Sequence, residues 1–342
     1  MTTAAHPNRD ARERALELLY EAEAKAIHPA EVIDELPVEP VPYAVELAEG
    51  VGDHVDLLDH VVGARAQRWT VARMPAVDRA LLRLATYELT FRPELPVGVA
   101  VDEAVDLAKS FSTDASPKFV NGVLSKVAAD VRDGGPWASA ASPAALVIDM
   151  DGVIRHWDEG LVARGDELLG LEPGTFARVA FEPELLRKAT VGELTDEAWR
   201  DAVVAGLVDE HGCDRDAAMA AWIGDEYTID AEVVELLAGV RSGGHRVVLL
   251  SNATTRLEAD LDRSGLADAF DAVVNSSRVA LAKPDPAVYA HAAGEAAAPA
   301  GACLFVDDRT ENVTGALDAG VPAVRFHSPA RLRAVLRRTA LL

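Results

Sequence analysis

The stretch at residues 145–155, Ala-Leu-Val-Ile-Asp-Met-Asp-Gly-Val-Ile-Arg, constrains the fold of this chain more than any other. Four apolar residues predict a short buried strand, and Asp149, Asp151 and Gly152 follow it at once. Side chains two residues apart on an extended chain point the same way, so both carboxylates start from one face. Open α/β sheets bind their ligands at the carboxyl ends of the strands. Taken alone, the stretch is explained equally well by a strand that ends in an Asp-Gly turn.

The size and charge of the chain limit the remaining possibilities. Its 342 residues exceed what one core usually contains, so two domains are expected. The net charge of −23 gives no global attraction for nucleic acid, so any RNA contact needs a local basic patch. Residues 1–23 lack the apolar core of a signal peptide, and no apolar run is long enough to span a bilayer. These features predict a cytoplasmic protein with no membrane partner.

Residues 1–132 are expected to form an all-helical domain. Apolar residues recur at helical spacing within three stretches, at residues 15–22, 77–85 and 120–131. Pro37, Pro40 and Pro42 break the chain after the first helix. Gly122 lies inside the last helical pattern, where glycine weakens a helix, so close packing or the approach of a ligand is expected there.

Four segments of this helical region occur in a specific order: "ARERALELLYE", "VDRALLRLATYEL", "VGVAVDEAVDLAKSF" and "SPKFVNGVLSKVA". Over residues 9–132 they resemble the NusB family of transcription antitermination factors. The resemblance implies a helical bundle that binds an antitermination element of the ribosomal RNA leader beside a small-subunit ribosomal protein. It does not imply an enzyme.

The same resemblance suggests residues for both partners. The candidate RNA ligands are Arg9, Arg12 and Arg14, which match the family's arginine-rich start, and Lys118, which could extend the basic cluster. Cations at the start of a helix oppose its dipole, which favours a role facing phosphate, although a solvated helix end is the alternative. Tyr20 and Glu88 match positions that face the protein partner in the family, or they lie at the edge of the core.

The composition changes at residues 133–143, which are rich in Gly, Ala, Ser and Pro and predict a flexible linker. In residues 144–342, strand patterns then alternate with helical ones: "HRVVLL", "AFDAVVNSS", "CLFVDD" and "VPAVRF". This alternation predicts an α/β, Rossmann-like domain with a parallel sheet and helices on both faces. The helical block at about residues 159–240 is expected to be an inserted cap over the site, and it contains a helix start at Thr195.

Polar residues follow several of these strands. The candidate site residues are Asp149, Asp151, Ser251, Asn252, Lys283, Asp307, Asp308 and Asn312. A carboxylate nucleophile, acidic ligands, a hydroxyl group and a lysine suit phosphoryl transfer, because magnesium and an ammonium group offset the negative charge of the phosphate. Each residue alone could be a helix cap, a turn or a surface group. Their occurrence in this order, each near a strand end, favours a single site.

The segments "DMDGVI", "LLSNAT", "AKPDPAVY" and "FVDDRTENV" carry a second resemblance, to the haloacid-dehalogenase-like hydrolase superfamily over residues 144–328. It implies that Asp149 is the nucleophile and forms an aspartyl-phosphate, and that Asp151 is the general acid and then the base. It further implies phosphate binding by Ser251 and Asn252, and charge stabilisation by Lys283. The implied Mg²⁺ ligands are Asp149, Asp151 (through its backbone carbonyl) and Asp308, supported by Asp307 and Asn312.

Asp151 favours a phosphatase, because dehalogenases of this superfamily lack the second carboxylate. The position of the cap implies a small phosphorylated substrate, and Arg155, His156 and Trp157 could reach it or form a solvated hinge. The expected protein is therefore a bifunctional fusion of an RNA-binding module with a Mg²⁺-dependent phosphatase acting on a small phosphate monoester. The alternative is a binding protein whose hydrolase half is catalytically idle or a scaffold.

Overall fold

The structure, a computed structural model, describes residues 8–66, 69–132, 134–158, 160–222 and 227–342. Asp133 and Glu159, where the expected linker and cap begin, lie outside the described residues. The chain divides into two compact units: residues 1–143 with 320–341, and residues 144–319 with Leu342. The C-terminal segment, which the sequence grouped with the second domain, therefore clusters with the first unit.

The first unit is helical through residue 131, as the sequence predicts. Its helices are α1 (Arg9–Lys25), α2 (Pro29–Asp34), α3 (Pro42–Asp53), α4 (Val55–Arg65), α5 (Ala76–Phe91), α6 (Val97–Phe111) and α7 (Ser116–Val131). Helix α5 contacts α1, α3, α4, α6 and α7 and is buried almost all round from Ala80 to Phe91. A helix with so little exposed surface is the centre of a bundle. The polar residues within it, Glu88 among them, are consequently held away from water.

Two expectations for this unit are not met. The segment at residues 134–143 is folded against the bundle: Trp137 is buried, its backbone N–H donates to Asp130 O at 2.9 Å, and its ring meets His60 edge-on at 5.3 Å. An aromatic side chain placed in this way fixes the chain where a flexible linker was expected. A Cβ added at Gly122 would have nothing within 4 Å, so close packing is wrong for this glycine, whereas the approach of a ligand stays a prediction.

The second unit alternates strands with helices. Its strands are β1 (Ala145–Ile148), β2 (Arg155–Trp157), β3 (Tyr227–Ile229), β4 (Arg246–Ser251), β5 (Ala272–Asn275) and β6 (Cys303–Asp307). Its helices are α8 (Leu161–Leu169), α9 (Thr175–Ala180), α10 (Pro183–Thr190), α11 (Asp196–His211), α12 (Arg215–Ala220), α13 (Ala231–Ser242), α14 (Leu257–Ser264), α15 (Ser276–Val279), α16 (Pro286–Glu295) and α17 (Thr310–Asp318).

Within the second unit the main sheet has the strand order β5-β4-β1-β6. Strand β1 pairs in parallel with both β4 and β6, and β4 pairs in parallel with β5. All four residues of β1 are buried, which is expected of a central parallel strand. Ile148 is opposite both Leu249 and Val306, so the carboxyl ends of β1, β4 and β6 lie level with one another.

A small antiparallel ribbon of β2 and β3 brackets the cap, helices α8 to α12. The sequence did not predict this ribbon. The predicted cap also ends too late, because α13 packs against β4 in the main sheet and buries Val233, Leu236, Leu237 and Val240. The helix start at Thr195 is confirmed, since its side chain accepts a hydrogen bond from Ala198 N at 3.2 Å.

The C-terminal segment ends in helix α18 (Pro329–Arg338), which packs against α3 in the first unit. Arg338 forms ion pairs with the buried Asp53 and, at 2.9 Å, with Glu49. Arg331 lies 3.5 Å from Glu49. Among the described residues, the helices are too short or too polar to pass through a bilayer.

Candidate functional site

The turn after β1 brings two acidic groups together. Asp149 continues the strand, with its N–H donating to Val306 O at 2.9 Å, and Gly152 follows with a left-handed backbone at φ +84°. A Cβ at Gly152 would lie 2.3 Å from Asp308 Oδ2. The position therefore requires glycine for its conformation and also for the close approach of Asp308.

Lys283 joins the ends of β1 and β6. Its ammonium Nζ lies 2.7 Å from Asp149 Oδ1 and 2.6 Å from Asp307 Oδ2, and all three side chains are almost fully buried. Buried charges persist only when they are paired and hydrogen-bonded, as they are here. The structure thus brings together the expected nucleophile, the expected lysine and the first carboxylate of the Asp307–Asp308 pair.

The proton affinities of this cluster follow from two carboxylates sharing one cation. Burial, opposed by Lys283 and reinforced by Asp307, raises the pKa of Asp149 to about 7. Burial disfavours the charged form of Lys283 too, but the attraction of Asp149 and Asp307 is larger and raises its pKa. Burial and the charge of Asp307 also raise the pKa of Asp308. The cluster holds more negative charge than one ammonium can balance, and a further cation would relieve it.

The donors present fit a magnesium ion. Asp149, Asp307 and Asp308 each offer an oxygen, and these oxygens lie within 4.8 Å of one another. Asp307 is already occupied, because it accepts from Lys283, from Arg309 N and twice from Asn312 Nδ2. Asp308 Oδ1 is buried without a hydrogen-bond partner among the described residues. Mg²⁺ prefers such oxygen ligands, and Asp149 and Asp308 are the available ones.

We expect magnesium to stabilise the protein more at high pH than at low pH. An unfolded chain loses the Asp149 proton near pH 4, whereas the folded state keeps it to about pH 7. Without metal, the contribution of Asp149 to stability therefore falls as pH rises between these values. Mg²⁺ binds the ionised form, so the rise in melting temperature on adding Mg²⁺ should be larger at about pH 8 than at about pH 5.5, by at least about 3 °C. Differential scanning calorimetry, with and without Mg²⁺, measures the melting temperature at each pH.

Asp308→Asn should abolish this difference, while Asp262→Asn, which removes an exposed carboxylate from α14, should retain it. An equal magnesium effect at both pH values would contradict the assignment of Asp149 as a ligand.

Ser251 and Asn252 stand at the end of β4, as the sequence predicts. Ser251 is buried as the last residue of the strand. The Asn252 amide exchanges two hydrogen bonds of 2.8 Å with the backbone of Lys283, donating to its carbonyl and accepting from its N–H. The Asn252 amide therefore fixes the position of Lys283 with its oxygen and one of its two N–H donors, and its role in holding phosphate stays a prediction.

The carboxylate of Asp151 is held by residues at the start of the cap. Arg155 donates to both of its oxygens, at 2.6 and 3.0 Å, and the Trp157 indole donates at 2.8 Å. Arg155 is itself buried, pairs with Asp260 at 3.2 Å and lies 4.6 Å from the Trp157 ring centroid. The sequence left two alternatives for Arg155, contact with the substrate or a solvated hinge. The hinge is wrong, because the Arg155 side chain is buried.

The contacts between the cap and the sheet were not predicted. Asp196, at the start of α11, accepts a hydrogen bond of 2.7 Å from Thr254, and its N–H donates to Thr255 at 2.9 Å. Both threonines follow Asn252 in "SNATT", so the cap contacts the loop that leaves the site. No local sequence signal marks such a pairing, because its members lie 58 and 59 residues apart.

In the helical unit, two of the expected ligand residues are buried and paired with each other. Arg12 donates to Glu88 at 2.9 Å, and their side chains are 2% and 0% exposed. Tyr43 also donates to Glu88, and Glu103 lies 3.9 Å from Arg12. The prediction that Arg12 contacts RNA and Glu88 a protein is corrected here, because neither side chain reaches the surface.

The remaining candidates of this unit are accessible. Arg14 is 37% exposed and pairs with Glu17 at 2.6 Å, while Arg9, at 25%, lies 3.4 Å from Glu13. Lys118 is exposed near the start of α7, and Tyr20 is 52% exposed on α1. These four side chains could reach a partner without rearrangement.

Comparison with known proteins assigns relatives to both parts of the chain. The NusB family matches residues 9–129, and the haloacid dehalogenase-like hydrolase family matches residues 143–320. The transcription antitermination protein NusB of Kineococcus radiotolerans is 45% identical over 124 residues, which cover 35% of this chain and 91% of that protein.

Two solved structures are also similar. A HAD family enzyme from Bacteroides thetaiotaomicron, crystallised with magnesium and inorganic phosphate, is 19% identical, with a TM-score of 0.45 over 54% of this chain and 95% of that one. NusB of T. maritima is 30% identical, with a TM-score of 0.34 over 36% of this chain and 92% of that one.

Proposed function

The chain belongs to the NusB family over residues 9–129 and to the haloacid dehalogenase-like hydrolases over residues 143–320, and on this premise we propose a bifunctional protein. Its first part is an RNA-binding antitermination module, and its second part is a Mg²⁺-dependent phosphatase that acts on a small phosphate monoester. Because ribosomal RNA is the proposed partner, we place the protein in the cytoplasm.

One observation carries the phosphatase proposal: a buried lysine is held between the carboxylate of Asp149 and that of Asp307, with Asp308 beside them. A carboxylate that attacks a phosphate must overcome the repulsion of two negative groups. The Lys283 ammonium, 2.7 Å from Asp149, offsets part of it. Asn252 and Asp307 hold this lysine at its backbone and its ammonium respectively, so the charge is in place before the substrate arrives.

In the proposed first step, an Asp149 oxygen attacks the phosphorus and the bond from phosphorus to the ester oxygen breaks. Asp151 gives its proton to the departing alcohol. Arg155 and Trp157 hold the Asp151 carboxylate by hydrogen bonds, so Asp151 must leave them to reach the departing oxygen. In the proposed step, rotation toward Asp149 accomplishes this.

In the second step, Asp151 accepts a proton from water, the water oxygen attacks the phosphorus of the aspartyl-phosphate, and Asp149 departs as a carboxylate. When bound at Asp149, Asp308 and the Asp151 carbonyl, Mg²⁺ supplies positive charge that keeps Asp149 ionised and neutralises the phosphate. Phosphate release from a panel of sugar, alkyl and aryl phosphates, with and without Mg²⁺, tests this function. Release that depends on Mg²⁺ is expected. No release from any ester would favour the alternative of an idle or scaffolding hydrolase unit.

For the helical unit, we propose that Arg9, Arg14 and Lys118 contact the RNA leader element and that Tyr20 contacts the ribosomal protein. Their exposure supports this assignment, whereas Arg12 and Glu88 stabilise the bundle from inside. The acidic balance of the whole chain makes a local cluster necessary.

Replacing Arg9, Arg14 and Lys118 together by Ala should weaken binding to ribosomal leader RNA. Each lost phosphate contact lowers the dependence of log affinity on log salt by about 0.7 to 0.9, so the slope should fall by about 2. Gel-shift titrations at several salt concentrations measure it. A matched triple change of exposed cations in the cap, Arg187, Lys188 and Arg215 to Ala, should leave the slope unchanged. Equal slopes for all three proteins would remove these residues from the RNA site.

A further inference from the structure

The cap and the sheet enclose a cavity of about 400 Å³ beside the proposed phosphate site. Asp151 and Asn252 line it, as do Phe181, Trp199 and Trp222 of the cap. Its volume is within the usual range for small-molecule sites. Because Asp151 is the proposed donor to the departing oxygen, the alcohol portion of the substrate must adjoin Asp151 and so occupy this cavity.

The cavity wall is aromatic. The Trp199 and Trp222 rings meet edge-on with centroids 4.9 Å apart, and Phe181 lies 6.5 Å from Trp199. Phe181 is 47% exposed and lines the cavity beside the two tryptophans. Aromatic rings bind flat apolar groups through their large contact area and edge-to-face geometry.

One polar atom in this wall has no partner. The Trp222 indole nitrogen is buried and makes no hydrogen bond within the described part of the chain, whereas the Trp199 nitrogen donates to Ala180 O at 3.2 Å. This nitrogen has almost no accessible surface, so it does not open onto the cavity, and Trp222 offers a ligand its ring alone. The wall thus suits an apolar group.

The charges around the cavity argue against a second anionic group on the substrate. Its arginines are engaged: Arg200 donates to Asp196 at 2.6 Å, Arg256 to Asp260 at 2.9 Å, and Arg155 to both Asp151 and Asp260. The cavity is lined by three arginines and by four aspartates, which are Asp151, Asp158, Asp196 and Asp260. A carboxylate or another phosphate would meet a lining with one more aspartate than arginines, which disfavours a second negative group.

We propose that the substrate is a monophosphate of an uncharged aryl or arylalkyl alcohol, whose ring contacts Phe181, Trp199 and Trp222. This inference rests on the phosphatase function proposed above. It disfavours sugar phosphates, whose many hydroxyl groups would lose water in an aromatic cavity. It also disfavours bisphosphates, whose second anion meets a lining with more aspartates than arginines.

Two phosphates of primary alcohols have leaving groups of the same kind but differ in the group that the cavity must bind. Comparing them therefore measures recognition of that group. For the full-length protein with Mg²⁺, kcat/KM should be at least about tenfold higher for 2-phenylethyl phosphate than for glycerol 3-phosphate. In Phe181→Ala and in Trp222→Phe this ratio should fall about tenfold. Leu168→Ala, which removes an exposed apolar side chain from cap helix α8, should keep the ratio of the parent protein. A preference for glycerol 3-phosphate, or a ratio unchanged in both cavity variants, would overturn the inference.

A binding experiment distinguishes failure of the phosphatase function from failure of the inference about the cavity. If no ester releases phosphate, the cavity is tested by titrating the full-length protein with 2-phenylethanol and with glycerol while tryptophan fluorescence is recorded. Saturable quenching by 2-phenylethanol alone, weakened in Phe181→Ala, supports an aromatic binding cavity in an idle hydrolase unit. Absence of quenching at millimolar concentration overturns it.

Discussion

Asp149→Asn is expected to lower kcat/KM for every phosphate ester at least about 10³-fold, because an amide is a poor nucleophile and forms no aspartyl-phosphate. The amide has almost the size of the carboxylate, and Lys283 keeps its 2.6 Å pair with Asp307, so the site should remain assembled. Asp149 is also a buried group whose ionisation is unfavourable without metal. The variant should therefore melt no lower than the parent protein in the absence of Mg²⁺.

Three measurements separate chemistry from folding in this variant. Steady-state phosphate release gives the rate, acid quenching with a ³²P-labelled ester reveals the covalent intermediate, and calorimetry gives the melting temperature. Asp262→Asn, an exposed residue of the same unit, serves as the control and should behave as the parent protein. A retained rate, or labelled protein recovered from Asp149→Asn, would mean that another group attacks the phosphorus.

Arg12→Met is expected to destabilise the helical unit by about 3 to 5 kcal/mol, because it leaves the carboxylate of Glu88 buried without a cation. Among its described partners Glu88 would keep the Tyr43 hydroxyl, and Glu103 would lose the guanidinium that lies 3.9 Å away. Methionine fills much of the space of the arginine stem, so the loss reports mainly on charge. Urea unfolding followed by circular dichroism measures it.

Arg14→Met is the matched control, since it lies on the same helix, is 37% exposed and pairs only locally with Glu17; it should cost less than about 0.5 kcal/mol. Adding Glu88→Leu to Arg12→Met should recover part of the loss, because both ends of the buried pair are then removed. If Arg12→Met instead keeps full stability but loses RNA affinity, the original assignment of Arg12 to RNA is restored.

The features that the sequence predicts correctly are those that depend on residues close together along the chain. Four apolar residues followed by Asp149 and Asp151 predict a buried strand with acidic groups at its end, and β1 follows this prediction. Alternating strand and helix patterns likewise predict that β4 and β6 end beside it. The meeting of Asp149, Lys283 and Asp307 follows from that topology, because parallel strands bring their carboxyl ends to the same edge.

What the sequence does not predict depends on partners far along the chain. An arginine at a helix start looks like a solvent-facing cation, and only Glu88, 76 residues later, makes it an interior one. The Arg155 pairing with Asp260 spans 105 residues and turns a suspected hinge into a buried contact. The sequence does not show where the cap ends, because the apolar spacing of α13 suits packing within a cap as well as packing against a sheet.

The packing of α18 against α3 has a consequence for the connectivity of the protein. Because residues 320–341 cluster with residues 1–143, the polypeptide leaves the helical unit, builds the α/β unit and returns. Residues 144–319 are thus inserted between two segments of the helical unit, so a single cut of the chain cannot separate the two units intact. A fragment ending at Pro143 would lack Arg338, so the Asp53 carboxylate on α3 would be stripped of its guanidinium partner. Any dissection of the two activities must therefore keep residues 320–341 with the helical unit.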